Sequence, residues 1–174
     1  AMISKQVFLV IGTDTGVGKT VFSGLFARYL MDNGVGVRAV KPFCSGGKAD
    51  IEFLHAAQSG FGQEDLNFWY SDEPISPAAW ELRHGQVVDF DSCIAWTLQK
   101  GGETGVLLVE GVGGLLAPLA KGKTVASLGQ ALGAQLIVVA PNRVGVINQV
   151  LLTVEAATRR DFEVVLVVLM GQKE

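Results

Sequence analysis

Val7-Phe8-Leu9-Val10-Ile11-Gly12-Thr13-Asp14-Thr15-Gly16-Val17-Gly18-Lys19-Thr20 is the stretch whose reading decides the fold. Its first five residues are apolar without interruption and end at a glycine, the pattern of a strand buried on both faces of a parallel sheet. After the loop, Val21, Phe22, Leu25, Phe26, Tyr29 and Leu30 recur at helical spacing over Thr20–Asp32, and Asn33-Gly34 supplies the stop. A glycine-rich loop that joins a strand to a helix and ends Gly-Lys-Thr is the context a phosphate loop requires. Its glycines let backbone N–H groups converge on phosphate oxygens, and the helix N-terminus adds partial positive charge. Lys19 then reaches the β and γ phosphates, and the Thr20 hydroxyl is placed to ligate magnesium. The segment expected to hold a nucleoside triphosphate therefore comprises Thr13, Asp14, Thr15, Gly16, Val17, Gly18, Lys19, Thr20 and Val21. The usual G-x-x-x-x-G-K-[ST] spacing puts a glycine at position 13; here Thr13 stands there, with Gly12 one step earlier.

Outward from this segment, short apolar runs alternate with helical patterns. Val35–Val40, Gly105–Val109, Leu136–Ala140 and Val164–Leu169 read as further strands. Ile51–Gln58, Phe90–Gln99, Val125–Leu132 and Ile147–Arg159 read as helices. The alternation predicts an α/β fold, a phosphate-loop domain over residues 1–174 with a doubly wound, mostly parallel sheet in three layers. Ligands then bind at the C-terminal ends of the strands. Gly60–Gly85 is the least regular region and predicts a loop-rich excursion with a small aromatic cluster of Phe68, Trp69, Tyr70 and Trp80.

Several residues fall on that same sheet edge. Glu110 follows the strand ending at Val109 and precedes Gly111-Val112-Gly113-Gly114, which suits a magnesium ligand beside a close backbone approach, or else a cap on the next turn. Asp50, after Gly46-Gly47 and before an apolar helix, is either a second metal ligand or the N-cap of that helix. Lys41 ends the second strand, Pro42 sets its exit direction, and Ser45 adds a hydroxyl. Ala140–Asn148 joins the fourth strand to a helix; its free N–H groups either hold a carboxylate or form an ordinary capped loop. His55 and His84 have no ligand-spaced partners and receive no role.

Composition narrows the classes. The formal charge is -3, from 14 basic and 17 acidic residues without a basic run, so nothing draws the chain to nucleic acid or an anionic membrane. Cys44 and Cys93 are the only cysteines, which suggests neither a disulfide scaffold nor a zinc site and fits a reducing, cytoplasmic compartment. No apolar stretch reaches the length of a membrane span.

Four ordered motifs, GTDTGVGKT at Gly12–Thr20, KPFCSG at Lys41–Gly46, VEGVGG at Val109–Gly114 and VGVINQVLLT at Val144–Thr153, resemble dethiobiotin synthetase. The resemblance spans roughly Val7 to Thr153. It implies a magnesium- and ATP-dependent enzyme that forms a cyclic urea from 7,8-diaminopelargonic acid and carbon dioxide, through a carbamate and its mixed anhydride with phosphate. Carried over by motif, Thr20, Asp50 and Glu110 would hold magnesium, with Gly111, Val112 and Gly113 beside the nucleotide. Lys19 and Lys41 would neutralise phosphoryl and carbamate oxygens, and Thr15, Lys41, Ser45 and Gly113 would contact the diamine and its carbamate. Gly145, Val146, Ile147 and Asn148 would bind the substrate carboxylate from the partner subunit of a homodimer. Leu169-Met170-Gly171 stands where the family has an adenine-binding Asn, Gly16 replaces a glutamate of the loop, and family members continue for several elements past Glu174. The competing expectations are a regulatory or partitioning ATPase, whose signature lysine is here Asp14, a cobyrinic acid amidase-type ligase, and a degenerate nucleotide-binding subunit.

Overall fold

The computed structural model describes residues 5–102 and 104–171. Strand β1 runs Gln6–Gly12 with its last four residues buried, as an apolar run in mid-sheet demands. It lies between β5 (Val106–Gly114) and β8 (Gln135–Pro141); β2 (Val37–Val40) pairs with β5, and β9 (Val164–Met170) with β8. The order is β2-β5-β1-β8-β9, all parallel. Helix α1 (Lys19–Asp32) packs on β1, β2 and β5 and against α2 (Ala49–Ala57). Helices α4 (Phe90–Gly101) and α5 (Val125–Leu132) pack together on β5, and α6 (Val146–Thr158) lies on β8 and β9. The expected three-layer doubly wound sheet is thus present, with its core in Leu9–Ile11, Val106–Val109 and Leu136–Val139.

Three elements differ from the sequence reading. Strand β2 starts at Val37, because the Val35 amide donates to the Leu30 carbonyl and closes the turn after α1. Strand β5 continues to Gly114, where Gly114 pairs with Gly12, so the glycine run after Glu110 extends the sheet. Gly60–Gly85 is more regular than a loop-rich excursion: β3 (Phe43–Ser45) pairs in parallel with β4 (Trp69–Ser71), and α3 (Pro77–His84) follows. The Ser76 hydroxyl accepts the Ala79 amide at the start of α3, with Pro77 in its first turn. The expected aromatic cluster forms only in part: Trp69 lies 5.5 Å from Trp80 and 6.3 Å from Phe43 between ring centres, while Phe68 packs instead on Trp96 at 5.8 Å. A small hairpin, β6 (Pro118–Ala120) with β7 (Lys123–Thr124), completes the elements.

β2 is an edge strand, and its free backbone is covered by a side chain. The Gln58 amide oxygen accepts the Ala39 N–H at 2.8 Å, and its nitrogen donates to the Ala39 carbonyl at 3.0 Å, all in a buried setting. Gln58→Ala strands both groups, so unfolding in denaturant should show a loss of about 1–3 kcal/mol; an unchanged midpoint would mean that water replaces the amide. No helix among the described residues is long and apolar enough to cross a membrane.

Candidate active site

Parallel register brings the chemistry together. Val40 is level with Val109 and Val10 with Glu110, so Lys41, Glu110 and the loop after β1 emerge side by side on one edge. Glu110 is 1% exposed, and its Oε1 accepts from Lys41 Nζ at 2.6 Å and from Thr20 Oγ1 at 2.7 Å. Lys41 Nζ also pairs with Asp50 Oδ2 at 2.7 Å. Asp50 lies in the first turn of α2, whose N-cap position is Lys48, so its side chain serves Lys41 and not the helix end. Glu110 likewise does not cap a turn, since it lies within β5.

The electrostatics follow from burial and pairing. Burial works to lower the Lys41 pKa, but Glu110 and Asp50 outweigh it and hold the ammonium above the ordinary lysine value. Burial would raise the Asp50 carboxyl, and Lys41 beside it keeps it below the usual carboxylate range. Lys19 is pushed below the ordinary lysine value by burial, which the Glu110 carboxylate offsets only in part. The Lys19 Nζ donates to the Asp14 carbonyl at 3.2 Å. Two lysines and two carboxylates thus share one wall, and the less compensated cation is the one in the phosphate loop.

Gly12 explains the departure at position 13. A Cβ on Gly12 would sit 2.4 Å from the Asp14 carbonyl oxygen and 3.1 Å from Lys19 Nζ, so the tight approach falls one residue before the usual glycine. Thr13 keeps an ordinary φ, and its amide donates to the Val139 carbonyl at 3.0 Å. Gly18 has φ 100° and closes the loop as the N-cap of α1, a conformation that favours glycine.

The cleft over these groups holds about 320 Å³. Of the residues singled out from the sequence, Thr15, Gly16, Gly18, Lys19, Thr20, Val21, Lys41, Ser45, Asp50, Glu110, Val112 and Gly113 line it. Thr13, Asp14, Val17 and Gly111 do not; Val17 is buried beneath the loop, and Gly111 is wedged between Val10 and Val125. Gly145, Val146, Ile147 and Asn148, at the start of α6, also lie outside this cleft.

Comparison with known proteins supplies the family. A family model described as an AAA domain matches residues 6–174. An ATP-dependent dethiobiotin synthetase of Corynebacterium glutamicum (strain R) is 36% identical over 159 residues, covering 89% of this chain and 70% of that protein. This chain belongs to the dethiobiotin synthetase family. A second member, from Bacillus subtilis (strain 168), is 31% identical over 170 residues, 94% of this chain and 74% of its own. The kinase domain of the Escherichia coli tyrosine kinase ETK shares the fold alone, with a TM-score of 0.57 at 13% identity over 96% of this chain and 68% of that one. Membership brings in ATP as co-substrate.

The resemblance to dethiobiotin synthetase also implies magnesium, and the residues present fit it. Glu110 Oε2 is buried without a hydrogen-bond partner, beside a threonine hydroxyl and a second carboxylate, all hard oxygen donors. No group of three or more His, Cys, Asp or Glu side chains is arranged to hold a metal among the described residues. A site with so few protein ligands suits an ion that keeps several waters and binds substrate phosphates.

Sequence patterns did not single out Asn67. Its side-chain nitrogen donates to the Lys41 carbonyl at 2.8 Å and the Trp69 carbonyl at 3.0 Å, with the Pro42 carbonyl at 3.3 Å. The available signal was an Asn just before an aromatic strand, a residue type that often bonds backbone at turns.

Proposed function

We propose that this protein is a magnesium- and ATP-dependent ligase that closes the ureido ring of dethiobiotin from 7,8-diaminopelargonic acid and carbon dioxide. One observation carries the reading: Lys19, Thr20, Lys41, Asp50 and Glu110, drawn from four separate segments, converge on one cleft at the phosphate loop. Thr20, Asp50 and Glu110 would hold magnesium, which when bound supplies positive charge to the β and γ phosphates. The loop amides and Lys19 cradle the same phosphates. One substrate amine adds to carbon dioxide and loses a proton, giving a carbamate. The Lys41 ammonium neutralises the carbamate oxygens beside Lys19, so that this anion can approach the γ-phosphorus. A carbamate oxygen attacks, the bond to the leaving oxygen of ADP breaks, and a carbamic-phosphoric anhydride forms. The second amine then attacks the carbonyl carbon, expelling phosphate and giving up a proton. Thr15, Ser45 and Gly113 also line the cleft and would contact the diamine and its carbamate. Catalysis of this kind is positioning and charge stabilisation.

The substrate carboxylate is assigned to Gly145–Asn148 of the partner subunit in a cytoplasmic homodimer. Gly145, at φ 92°, starts α6, whose first amides have no intrahelical acceptor. Val144, Ile147 and Leu151 beside it are 102%, 74% and 62% exposed, an apolar ridge that a second copy would cover. Gly145→Glu sets a like charge against the carboxylate at a cost of roughly 2–5 kcal/mol in substrate binding, with ATP binding kept. Mixing that variant with Lys19→Ala subunits should restore part of the activity, because one of the two sites then combines an intact loop with an intact carboxylate site. No recovery in demonstrably mixed dimers, or full activity of Gly145→Glu alone, would rule out the shared site.

A further inference from the structure

Lys41 sits where regular strand pairing cannot hold it. Strand β2 ends at Val40, the β3–β4 ladder begins only at Phe43 opposite Trp69, and Pro42 between them has no N–H to give. The gap is bridged from the segment before β4. The Lys41 amide donates to the Leu66 carbonyl at 2.7 Å, and the Phe68 and Trp69 amides donate to the Pro42 carbonyl at 3.1 and 2.9 Å. The Lys41 carbonyl accepts the Asn67 side-chain amide at 2.8 Å, and the same nitrogen holds the Trp69 carbonyl at 3.0 Å, tying Lys41 to the start of β4. Leu66, the neighbour of Asn67, is fully buried, so this clamp is anchored in the core.

We infer that Asn67 is a positioning residue for the reaction: its side-chain amide holds the Lys41 backbone so that the ammonium meets the carbamate. The inference rests on the role proposed for Lys41. Asn67 acts through the main chain of Lys41, whereas Glu110 and Asp50 act on its ammonium. The two carboxylates set the charge and direction of Nζ, while Asn67 sets the point from which the side chain extends. The phosphate loop follows a different strand and the side-chain hydrogen bonds of Asn67 run to Lys41, Pro42 and Trp69, so loss of the amide should damage the chemical step more than nucleotide binding.

The test uses the full chain. A misplacement of about 1 Å can cost about 10²-fold, so Asn67→Ala should lower kcat at least about tenfold and leave the KM for ATP within about twofold. Asn67→Asp keeps the size of the side chain but cannot donate, and it should lose as much; Asn67→Ser keeps one donor and should lie between Asn67→Ala and the parent. The amino-group ¹⁵N signal of Lys41, assigned by its disappearance in Lys41→Met, should shift or broaden in Asn67→Ala while that of Lys19 stays. Should Asn67→Ala not fold, Asn67→Ser carries the same comparison. Parent-like kcat in Asn67→Asp, an unmoved Lys41 signal, or equal damage to kcat and ATP binding would overturn the inference. If Lys41→Met keeps its turnover, the role of Lys41 falls first; if Lys41→Met is inactive and Asn67→Ala is not, only the inference about Asn67 falls.

Discussion

Lys19→Ala should reduce ATP turnover by about 10³-fold or more, the scale expected when a cation that stabilises phosphoryl transfer is removed, without reducing the stability of the fold. The second half of that expectation comes from the structure. Lys19 is 6% exposed, and burial depresses its pKa, so the folded state disfavours its charge. A lysine whose folded pKa lies below its unfolded value makes an unfavourable contribution while it is charged, and replacing it removes that contribution. Denaturant titration at neutral pH should therefore find Lys19→Ala at least as stable as the parent. Undiminished turnover would remove the phosphate loop from the account, and a large loss of stability would make Lys19 a core residue.

Glu110→Gln should lower turnover by about 10²–10³-fold, as when one preorganised electrostatic group is lost. The substitution keeps the size of the side chain and removes the charge that faces Lys41 Nζ at 2.6 Å and Thr20 Oγ1 at 2.7 Å. Its decisive signature is the metal dependence of nucleotide binding. Titration with an unhydrolysable ATP analogue should show at least about a tenfold weaker Kd with magnesium, the size of effect seen when a metal site loses a supporting group, and little change without it. Equal losses with and without the metal would mean that Glu110 acts through the packing of β5.

The parts of this site that are contiguous in the chain could be read before the structure. Gly12–Thr20 carries its own context, because the strand before it and the helix after it are strongly patterned. Lys41 and Glu110 were legible as residues at strand ends on one edge, although their direct pairing depends on strand order, with β5 between β2 and β1. The extent of β5 was not legible, since Gly111, Gly113 and Gly114 look like loop chemistry until Gly12 is seen to pair with Gly114. The ends of α3 were marked by Ser76-Pro77 and Gly85, but eight residues flanked by prolines and glycines gave little periodicity to weigh against them. Asn67 lay out of reach for a different reason. Its bonds run to Lys41 and Pro42, 26 and 25 residues away, and they satisfy backbone groups that no local pattern reports.

The most direct measurement combines the purified protein with 7,8-diaminopelargonic acid, bicarbonate and magnesium-ATP, and quantifies ADP and dethiobiotin together. The two products should form in a one-to-one ratio, and neither should accumulate when the diamine is left out. Steady ADP release with no cyclic urea would contradict the proposed ligase function and support a switch-type ATPase. Absence of both products while ATP still binds would instead leave a nucleotide-binding subunit without the synthetase reaction.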